Sequence, residues 1–401
     1  MGHARPVAIA LAGLVACAGG VAHASTPLRA LSDDLAFTDS RPGERSDAFR
    51  EARRAGARVV RITLDWSLVA PRGSAKPAGF DAADPGDSAY RWGYVEDAVR
   101  EAARRRLRVV LVVVRAPAWA QQAGRPDPAE LGAFVRAAAR RFSGFYPDPK
   151  SSGDSLTGEG RSLPAVRLWQ VWERANLLSG GAGHYRRMLA SSAAALNRVD
   201  PENQVVAGGT AGRGAVAFWQ ALRGARFDIA SHSGVSSLGR VSRAVRKPLW
   251  LTEVARDTLT PGGASLAGQA RYLVKAFYAA DRAGAELFSW RGLQDRTTHL
   301  PNFPTVASGL FRNVTNRISR DPAKPARTAF RFPFLVRGRQ AWGIAPRGRA
   351  VVTIERRSRG SWRAVGGVRA SRSGEFSGGL PPGSGRYRAR LGRARSLAWR
   401  R

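Results

Sequence analysis

Short, continuous apolar runs alternate with longer amphipathic segments at a regular spacing up to about residue 330. Residues 108–114 (RVVLVVV) are the most apolar of these runs, and residues 94–106 before them have helical periodicity. Strands that are apolar at every position are typical of parallel sheets, in which helices cover both faces. The alternation therefore predicts repeated β-α-β units around a parallel sheet.

Eight apolar runs are spaced so that each is a strand of one sheet. The predicted strands are residues 34–37, 57–64, 108–114, 166–172, 203–207, 227–231, 249–253 and 285–290. Eight strands over ~300 residues fit a (β/α)8 barrel better than an open doubly wound sheet. No G-x-G-x-x-G loop follows the first strand, which also argues against a dinucleotide-binding sheet. We therefore predict an α/β fold with a TIM barrel over residues 25–334.

The pattern changes from about Phe334, where short alternating strands are separated by glycine. This spacing predicts a small C-terminal antiparallel β-domain over residues 335–401. Trp342 and Trp362 lie in it. They either bind carbohydrate or, as the favoured alternative, fill the small core and pack on the barrel. Upstream, the polar and turn-rich residues 145–165 are predicted to form a long loop of the barrel.

The first residues have the organisation of an export signal. Arg5 precedes the apolar residues 6–16, and Ala22-His23-Ala24 before Ser25 fits a cleavage site, so residues 1–24 are predicted to be a signal peptide. An alternative cleavage site, Leu14-Val15-Ala16-Cys17, would leave Cys17 lipidated at the new N-terminus. The protein is therefore expected to be secreted, either free or lipoprotein-anchored. No other run approaches the ~20 apolar residues of a transmembrane span.

The net charge of +35 comes almost entirely from arginine. The arginines are spread through helical segments such as residues 100–108, and no aromatic-interleaved nucleic-acid motif is present. A solvated basic surface is the simplest interpretation, with affinity for anionic polymers such as acidic glycans as the alternative. We expect no nucleic-acid partner and a monomer.

Cysteine and histidine usage argues against metal chemistry. Cys17 is the only cysteine, which excludes disulfides and thiolate metal sites. The five histidines include no H-x-x-x-H pair. We therefore predict no metal and no cofactor.

Candidate functional residues lie at the predicted strand ends, because the active residues of such barrels sit at the C-terminal ends of the strands. Strands 2, 4, 7 and 8 end in RITLDWSLVAP, WQVWERAN, KPLWLTE and FSWRGLQDR. Glu253 closes an otherwise apolar strand, where a carboxylate is costly unless it has partners and a use. This position marks Glu253 as a candidate catalytic acid.

These segments, together with SGLF…KPARTAF near the end of the barrel, resemble the clan-A retaining glycoside hydrolases, closest to their cellulase-like and β-xylosidase/α-iduronidase branches. The resemblance covers about residues 32–330. It implies hydrolysis of O-glycosidic bonds in an oligo- or polysaccharide. It also implies that Glu253 is the nucleophile and that Arg61 supports it.

The strand-4 segment departs from the family pattern W-x-V-W-N-E-P-N. An ungapped alignment on Trp169, Trp172 and Asn176 puts Glu173 in place of the sugar-binding Asn and Arg174 in place of the acid/base Glu. A guanidinium cannot deliver a proton at physiological pH. Because general acid–base help contributes about 10²–10⁴-fold, the resemblance implies weak activity on substrates with poor leaving groups.

Several interpretations of this pair stay open. Glu173 is the second catalytic carboxyl only if the backbone changes register, because adjacent strand residues point to opposite sides. Arg174 either pairs with Glu253, which would lower the pKa of that carboxyl and make a binding cleft, or binds an anionic sugar. The protein is accordingly a weak glycoside hydrolase with Glu253 and Glu173 as catalytic candidates, or a catalytically inactive glycan-binding protein.

Further sugar contacts are predicted at other strand ends. Aromatic side chains at the ends of strands 2, 3 and 8 either stack on sugar rings or pack inside the protein. His232, in the strand-6 segment SHSG, is a ligand contact or an ordinary strand-end histidine. The predicted substrate-binding residues are Arg61, Trp66, Trp119, Arg174, Asn176, His232 and Trp290.

Overall fold

A computed structural model of the chain describes residues 26–151, 161–259, 262–296 and 306–401. The predicted signal peptide with Cys17, and residues 152–160 of the predicted long loop, lie outside these ranges. His299 lies outside them as well. Within the described ranges, no helix combines the length and the apolar character needed to cross a membrane.

Eight parallel strands close into a barrel. They are β1 (Leu28–Ser32), β2 (Val59–Asp65), β3 (Arg108–Val114), β4 (Leu168–Val171), β5 (Gln204–Ala211), β6 (Ile229–Ser233), β7 (Leu249–Val254) and β8 (Leu287–Arg291). Each strand pairs with its sequence neighbours, and β1 pairs with β8. The predicted (β/α)8 barrel is confirmed.

One helix follows each strand and packs outside the barrel. These helices are α1 (Pro42–Ala55), α2 (Gly93–Arg104), α3 (Pro128–Arg141), α4 (Gly181–Val199), α5 (Ala215–Ala221), α6 (Leu238–Ala244), α7 (Leu266–Arg282) and α8 (Pro325–Arg331). Local chemistry sets their ends: Asp127 accepts hydrogen bonds from the first backbone amides of α3. Shorter elements between them are the helical turns Asp34–Phe37, Trp66–Val69, Ala118–Ala120 and Ala175–Leu177 and the paired segments Gln121–Gln122 and Arg125–Pro126.

The prediction of the first strand at residues 34–37 was wrong. The strand is Leu28–Ser32, and Asp34–Phe37 is a single helical turn. Asp33 causes the difference, because its carboxylate accepts a hydrogen bond from the amide of Ala36 and caps the turn. The strands predicted at 57–64, 166–172, 203–207, 227–231 and 285–290 begin one or two residues later than expected.

Inward-facing apolar side chains form a plug inside the barrel. This cluster consists of Ala30, Val59, Val110, Val112, Val114, Leu168, Val206, Ile229, Trp250 and Leu287. Because side chains alternate along a strand, the residue two positions after an inward apolar residue also faces inward. On β2 that residue is Arg61, after Val59, and on β4 it is Gln170, after Leu168. Polar side chains therefore lie above the apolar plug, toward the C-terminal ends of the strands.

Antiparallel strands form the C-terminal part of the chain. They are β9 (Phe334–Arg337), β10 (Gln340–Ile344), β11 (Val351–Ser358), β12 (Ser361–Arg369), β13 (Glu375–Gly379), β14 (Arg386–Leu391), β15 (Ala394–Arg395) and β16 (Trp399–Arg400). One sheet has the order β9-β10-β13, and the other has the order β12-β11-β14-β15, with β16 also paired to β14. The predicted small antiparallel β-domain is confirmed.

The two tryptophans of this domain are packed. Trp342 is buried, and its Nε1 donates a hydrogen bond to Asp281 Oδ2 of α7 at 3.1 Å, while its ring meets Tyr278 edge to face. The guanidinium of Arg388 lies 4.1 Å from the ring centroid of Trp362. Trp342 therefore attaches the β-domain to the barrel, in agreement with the packing alternative.

A buried ion pair holds the segment after β8. Lys324 Nζ is 2.9 Å from Asp295 Oδ1, with both side chains almost fully buried. We predict that Lys324→Met lowers the free energy of unfolding by about 3 kcal/mol, because it leaves a buried carboxylate without its partner. The control Lys76→Met removes a partly exposed pair with Glu130 and should cost less than about 1 kcal/mol. Urea unfolding of both variants checks this, and equal losses would contradict it.

Candidate active site

A single buried arginine connects two carboxylates at the C-terminal end of the barrel. Arg61 is 2% exposed; its Nη1 donates to Glu253 Oε1 at 2.5 Å and its Nη2 donates to Glu173 Oε2 at 2.6 Å. Glu253 is on β7 and Glu173 follows β4. Because a guanidinium is a rigid fork, the bonded oxygens of the two carboxylates are at most about 7 Å apart. The structure thus brings together the two acids predicted to be catalytic.

Glu253 is held in its ionised form. Ser32 Oγ donates to its Oε1 at 3.0 Å, and Arg291 Nη1 is 3.7 Å from its Oε2. Burial raises the pKa of this carboxyl, but the charges of Arg61 and Arg291 and the bond from Ser32 outweigh burial and set the pKa below its ordinary value. A carboxylate that stays ionised is suited to nucleophilic attack.

Glu173 is shifted in the opposite direction. Its Oε2 accepts a second hydrogen bond, from Gln170 Nε2 at 2.9 Å, and its Oε1 accepts one from Ser233 Oγ at 3.3 Å. Burial raises the pKa of this carboxyl, Arg61 offsets the rise only in part, and the charge of Glu253 adds to it. Two neighbouring carboxyls with pKa values shifted apart can serve as acid and base.

The backbone after β4 explains how Glu173 reaches this position. Trp172 and Arg174 both have left-handed backbones, with φ of 68° and 50°. Such conformations cost about 1–3 kcal/mol for a residue other than glycine and cluster at functional sites. They end the strand alternation, so that Gln170 and Glu173 both contact Arg61. This is the change of backbone register that Glu173 needs in order to face the site.

The backbone at Glu253 and at Gly209 also has unusual conformations next to the two carboxylates. Glu253 also has a left-handed backbone, with φ of 56°. On β5, Gly209 has φ of 63°, and a Cβ atom there would overlap the Glu173 carboxyl. The close approach of β5 to Glu173 therefore requires glycine.

A cleft of about 350 Å³ opens above the two carboxylates. Arginines supply much of its lining; besides Arg61 they are Arg115, Arg174, Arg291 and Arg296. The acids of the cleft are Asp33, Asp34, Glu173 and Glu253. Guanidinium groups pair well with carboxylate, phosphate and sulfate groups, so the cleft has the chemistry to accept an anionic ligand.

Arg174 does not form the predicted ion pair with Glu253 among the described residues. Glu253 is instead paired with Arg61 and Arg291. Arg174 has a left-handed backbone and is exposed at the cleft wall. It remains available to a ligand in the cleft.

Three predicted sugar contacts have no exposed surface in this structure. Trp66 stacks on Phe134 in the barrel–helix core. Trp290 is buried, and its Nε1 donates to the carbonyl of Ser308 at 2.8 Å. His232 is buried and hydrogen-bonded through both ring nitrogens, to Thr210 Oγ1 and to a backbone carbonyl. The two tryptophans therefore agree with the packing alternative, and His232 with that of an ordinary strand-end histidine.

Trp119 and Asn176 have local structural partners. The Nε1 of Trp119 donates to the carbonyl of Pro71 at 2.8 Å, and Lys76 lies over its ring. Asn176 exchanges two hydrogen bonds of 2.9 Å with the backbone of Ala211 and so ties the segment after β4 to β5. Neither residue lines the cleft.

Several residues of the site were not predicted from the sequence. Ser32, Ser233 and Arg291 are each the last residue of a barrel strand, so correct strand boundaries would have identified them. Gln170 was identifiable from its inward register on β4. Across the described part of the chain, no group of three or more His, Cys, Asp or Glu side chains is arranged to hold a metal ion.

Comparison with known proteins supports the fold. No protein-family model and no curated protein matches the chain. Among solved structures, it is similar to a family 39 glycoside hydrolase from Bacteroides cellulosilyticus WH2, with a TM-score of 0.57, 14% identity and coverage of 88% of this chain and 79% of that one.

Two other solved structures span nearly the whole length of both chains. The GH39 enzyme from Xanthomonas axonopodis pv. citri has a TM-score of 0.55, 14% identity and 94% coverage of each chain. The endo-β1,6-glucanase BT3312 has a TM-score of 0.58, 8% identity and coverage of 90% and 91%. At these identities the likeness establishes the barrel fold, which these glycoside hydrolases share with the chain.

Proposed function

We propose that the protein is an exported glycoside hydrolase that cleaves O-glycosidic bonds of an oligo- or polysaccharide by a retaining mechanism. The observation that carries the proposal is the bridge from Arg61 to Glu173 and Glu253, at 2.6 and 2.5 Å. Retaining hydrolysis needs two adjacent carboxyls with different protonation states. The fold shared with glycoside hydrolases and the predicted signal peptide agree with this function.

Glu253 is the proposed nucleophile and Glu173 the proposed acid/base. In the first step a Glu253 oxygen bonds to the anomeric carbon, the bond from that carbon to the leaving oxygen breaks, and Glu173 gives its proton to the leaving oxygen. In the second step Glu173 takes a proton from water, and the water oxygen displaces Glu253 from the anomeric carbon. Glu173 thereby ends each cycle protonated, as it began.

The proposed enzyme is slow on substrates with poor leaving groups. Glu173 Oε2 already accepts hydrogen bonds from Arg61 and Gln170, and Oε1 accepts one from Ser233, so proton exchange at Glu173 competes with these contacts. Arg174 stands where the resemblance places the family's acid/base residue, and it cannot supply a proton. Together with the other cleft arginines, it instead favours a sugar that carries a negative charge.

A catalytically inactive glycan-binding protein is the second candidate function. The exposure of Arg174 in the cleft favours it, because this side chain binds an anion without contributing to bond cleavage. If the protein has this function, the cleft binds a glycan without cleaving it, and the ion pair between Glu173 and Arg61 only stabilises the barrel.

Hydrolysis of activated aryl glycosides distinguishes the two functions. A nitrophenyl leaving group departs with little protonation, so a surviving nucleophile suffices for turnover. We expect slow release of nitrophenol from a panel of nitrophenyl glycosides that includes uronic acid glycosides. NMR of the sugar product should show that the anomeric configuration of the substrate is retained. An inverted product would contradict the retaining mechanism, and binding without turnover across the panel would favour the inactive glycan-binding protein.

The opposite pKa shifts predict a bell-shaped pH profile. Activity needs Glu253 ionised, so it falls as the pH drops through the lowered pKa of that residue, below the ordinary glutamate value of about 4.3. It needs Glu173 protonated, so it also falls as the pH rises through the raised pKa of that residue. In Glu173→Gln the alkaline limb of kcat/KM should vanish while the acidic limb remains. An unchanged alkaline limb would show that another group donates the proton.

A further inference from the structure

A second basic groove lies between the C-terminal sheets and the barrel, apart from the catalytic cleft. It is lined by Arg271 of α7 and by residues of the β-domain, namely Arg357, Arg359, Gly360, Ser384, Gly385, Arg386, Ala398, Arg400 and Arg401. Six of these ten residues are arginines and none is acidic. All the arginines except Arg401 are exposed. The side chains of this lining therefore concentrate positive charge, with no acidic side chain among them.

Three of these arginines form a row across neighbouring strands. Arg386 of β14 is directly opposite Arg400 of β16. The register that pairs Arg356 with Tyr387 puts Arg357 of β11 beside Arg386 on its other side. Like charges directly opposite each other in an antiparallel pair are destabilising. A bound anion would remove this repulsion.

Arginines elsewhere on the same strand are neutralised by an acid. Arg388 and Arg390 of β14 each donate to Glu355 of β11, at 2.6 Å. Arg386, two residues before Arg388 on β14, has an arginine opposite it on both neighbouring strands. No described acid pairs with Arg386, Arg357 or Arg400. The high arginine content of the chain does not by itself explain this difference within one sheet.

We propose that this groove binds an anionic polysaccharide, whose carboxylate or sulfate groups lie along the Arg357–Arg386–Arg400 row. Guanidinium groups pair with such anions through two parallel hydrogen bonds. The groove has no aromatic residue on which nucleic-acid bases would stack. The choice of a sugar polymer rests on the proposed function, because the arginine-lined cleft then acts on the polymer that the groove holds.

The test compares two triple variants of the full chain with equal loss of charge. The groove variant is Arg357→Gln/Arg386→Gln/Arg400→Gln. The control variant, Arg363→Gln/Arg369→Gln/Arg372→Gln, removes three exposed arginines of the same domain that do not line the groove. Calorimetry measures the Kd of each protein for polygalacturonate, dextran sulfate, neutral dextran and a short DNA duplex at physiological ionic strength.

The groove variant should bind one or both of the anionic polysaccharides about tenfold more weakly than the wild type, while the control changes less than about twofold. Neutral dextran should not bind. Polygalacturonate and dextran sulfate report separately on carboxylate and sulfate recognition. Equal losses in both variants, or no binding by the wild type, would overturn the proposal. Tighter binding of DNA, lost in the groove variant, would overturn the assignment to a polysaccharide.

Two further readouts separate this proposal from misfolding and from the catalytic proposal. Removal of like charges should leave the Tm of the groove variant equal to or above that of the wild type at low salt. Its kcat/KM on small aryl glycosides should also be unchanged, because these substrates reach only the cleft. The polymer-binding result therefore stands whether or not the cleft hydrolyses glycosides.

Discussion

Replacement of Glu253 by alanine is expected to lower the hydrolysis of activated aryl glycosides on the order of 10⁴-fold or more. The variant lacks the atom that bonds to the anomeric carbon, and a good leaving group does not compensate for a missing nucleophile. Release of nitrophenol under single-turnover conditions measures the loss. The control is Glu202→Gln, which changes an acid that is 83% exposed. Glu202 lies just before the N-terminal end of β5, at the opposite end of the barrel from the cleft, so this variant should leave the rate unchanged.

An added small anion extends this experiment. In Glu253→Ala the space left by the carboxylate admits formate or azide, which attacks the anomeric carbon from the side of the lost nucleophile. The expected product is a glycosyl adduct of inverted configuration. Retention results from two successive displacements at the anomeric carbon, whereas attack by the added anion is a single displacement, which inverts it. A Glu253→Ala variant that keeps wild-type activity would refute the assignment of Glu253 as nucleophile.

The barrel was predictable because its strands are periodic and uniformly apolar. Residues 108–114 were predicted and observed as one strand with identical limits. The first strand was not located correctly, since Leu28–Ser32 is short and carries a polar residue at each side of its apolar centre, while Leu35–Phe37 resembles a strand by composition alone. The cap by Asp33 depends on one side-chain hydrogen bond, which composition does not encode.

The approach of Glu173 to Arg61 was not predictable from residue types. Left-handed backbones are expected at glycine, whereas here they occur at Trp172 and Arg174. These conformations persist because the surrounding contacts hold them, including the hydrogen bond from the amide of Arg174 to the carbonyl of Gly209. Strand alternation, extended past Val171, therefore gives the wrong side for Glu173.

The aromatic residues at strand ends show a second limit of the sequence. Trp66 and Trp290 occupy positions at which a tryptophan either faces the cleft or packs behind it. In this chain both are fully buried, and arginines, including Arg115 and Arg291, line the cleft instead. Which of two adjacent side chains faces the cleft depends on the last one or two residues of each strand, and strand ends are the least predictable part of the sequence pattern.

The double variant Glu173→Asn/Arg174→Glu is expected to raise the hydrolysis of unactivated glycosides by up to about 10²-fold over the wild type, because general acid catalysis contributes about 10²–10⁴-fold in total and Glu173 already supplies part of it. It restores the Asn-Glu pair implied by the resemblance and replaces an exposed cleft arginine with a carboxyl that is free to exchange protons. Arg61, Ser32 and Glu253 are unchanged, so the nucleophile should keep its environment. The gain should be small on nitrophenyl substrates, which need little protonation of the leaving group, and large on alkyl glycosides or natural glycans.

Single variants decide how the gain of the double variant is interpreted. Glu173→Asn alone should be slower than the wild type on unactivated substrates by about 10²-fold, because it has no acid at either position. Arg174→Gln alone should change little, since it removes a charge without supplying a proton donor. Adding Glu253→Ala to the double variant should abolish the gain.

If instead the wild type already cleaves unactivated glycans at ordinary rates and Glu173→Gln stops this, Glu173 is by itself a fully effective acid/base. Arg174 would then have no part in limiting the rate, because the backbone turn at Trp172 would already have delivered the required carboxyl to the leaving oxygen.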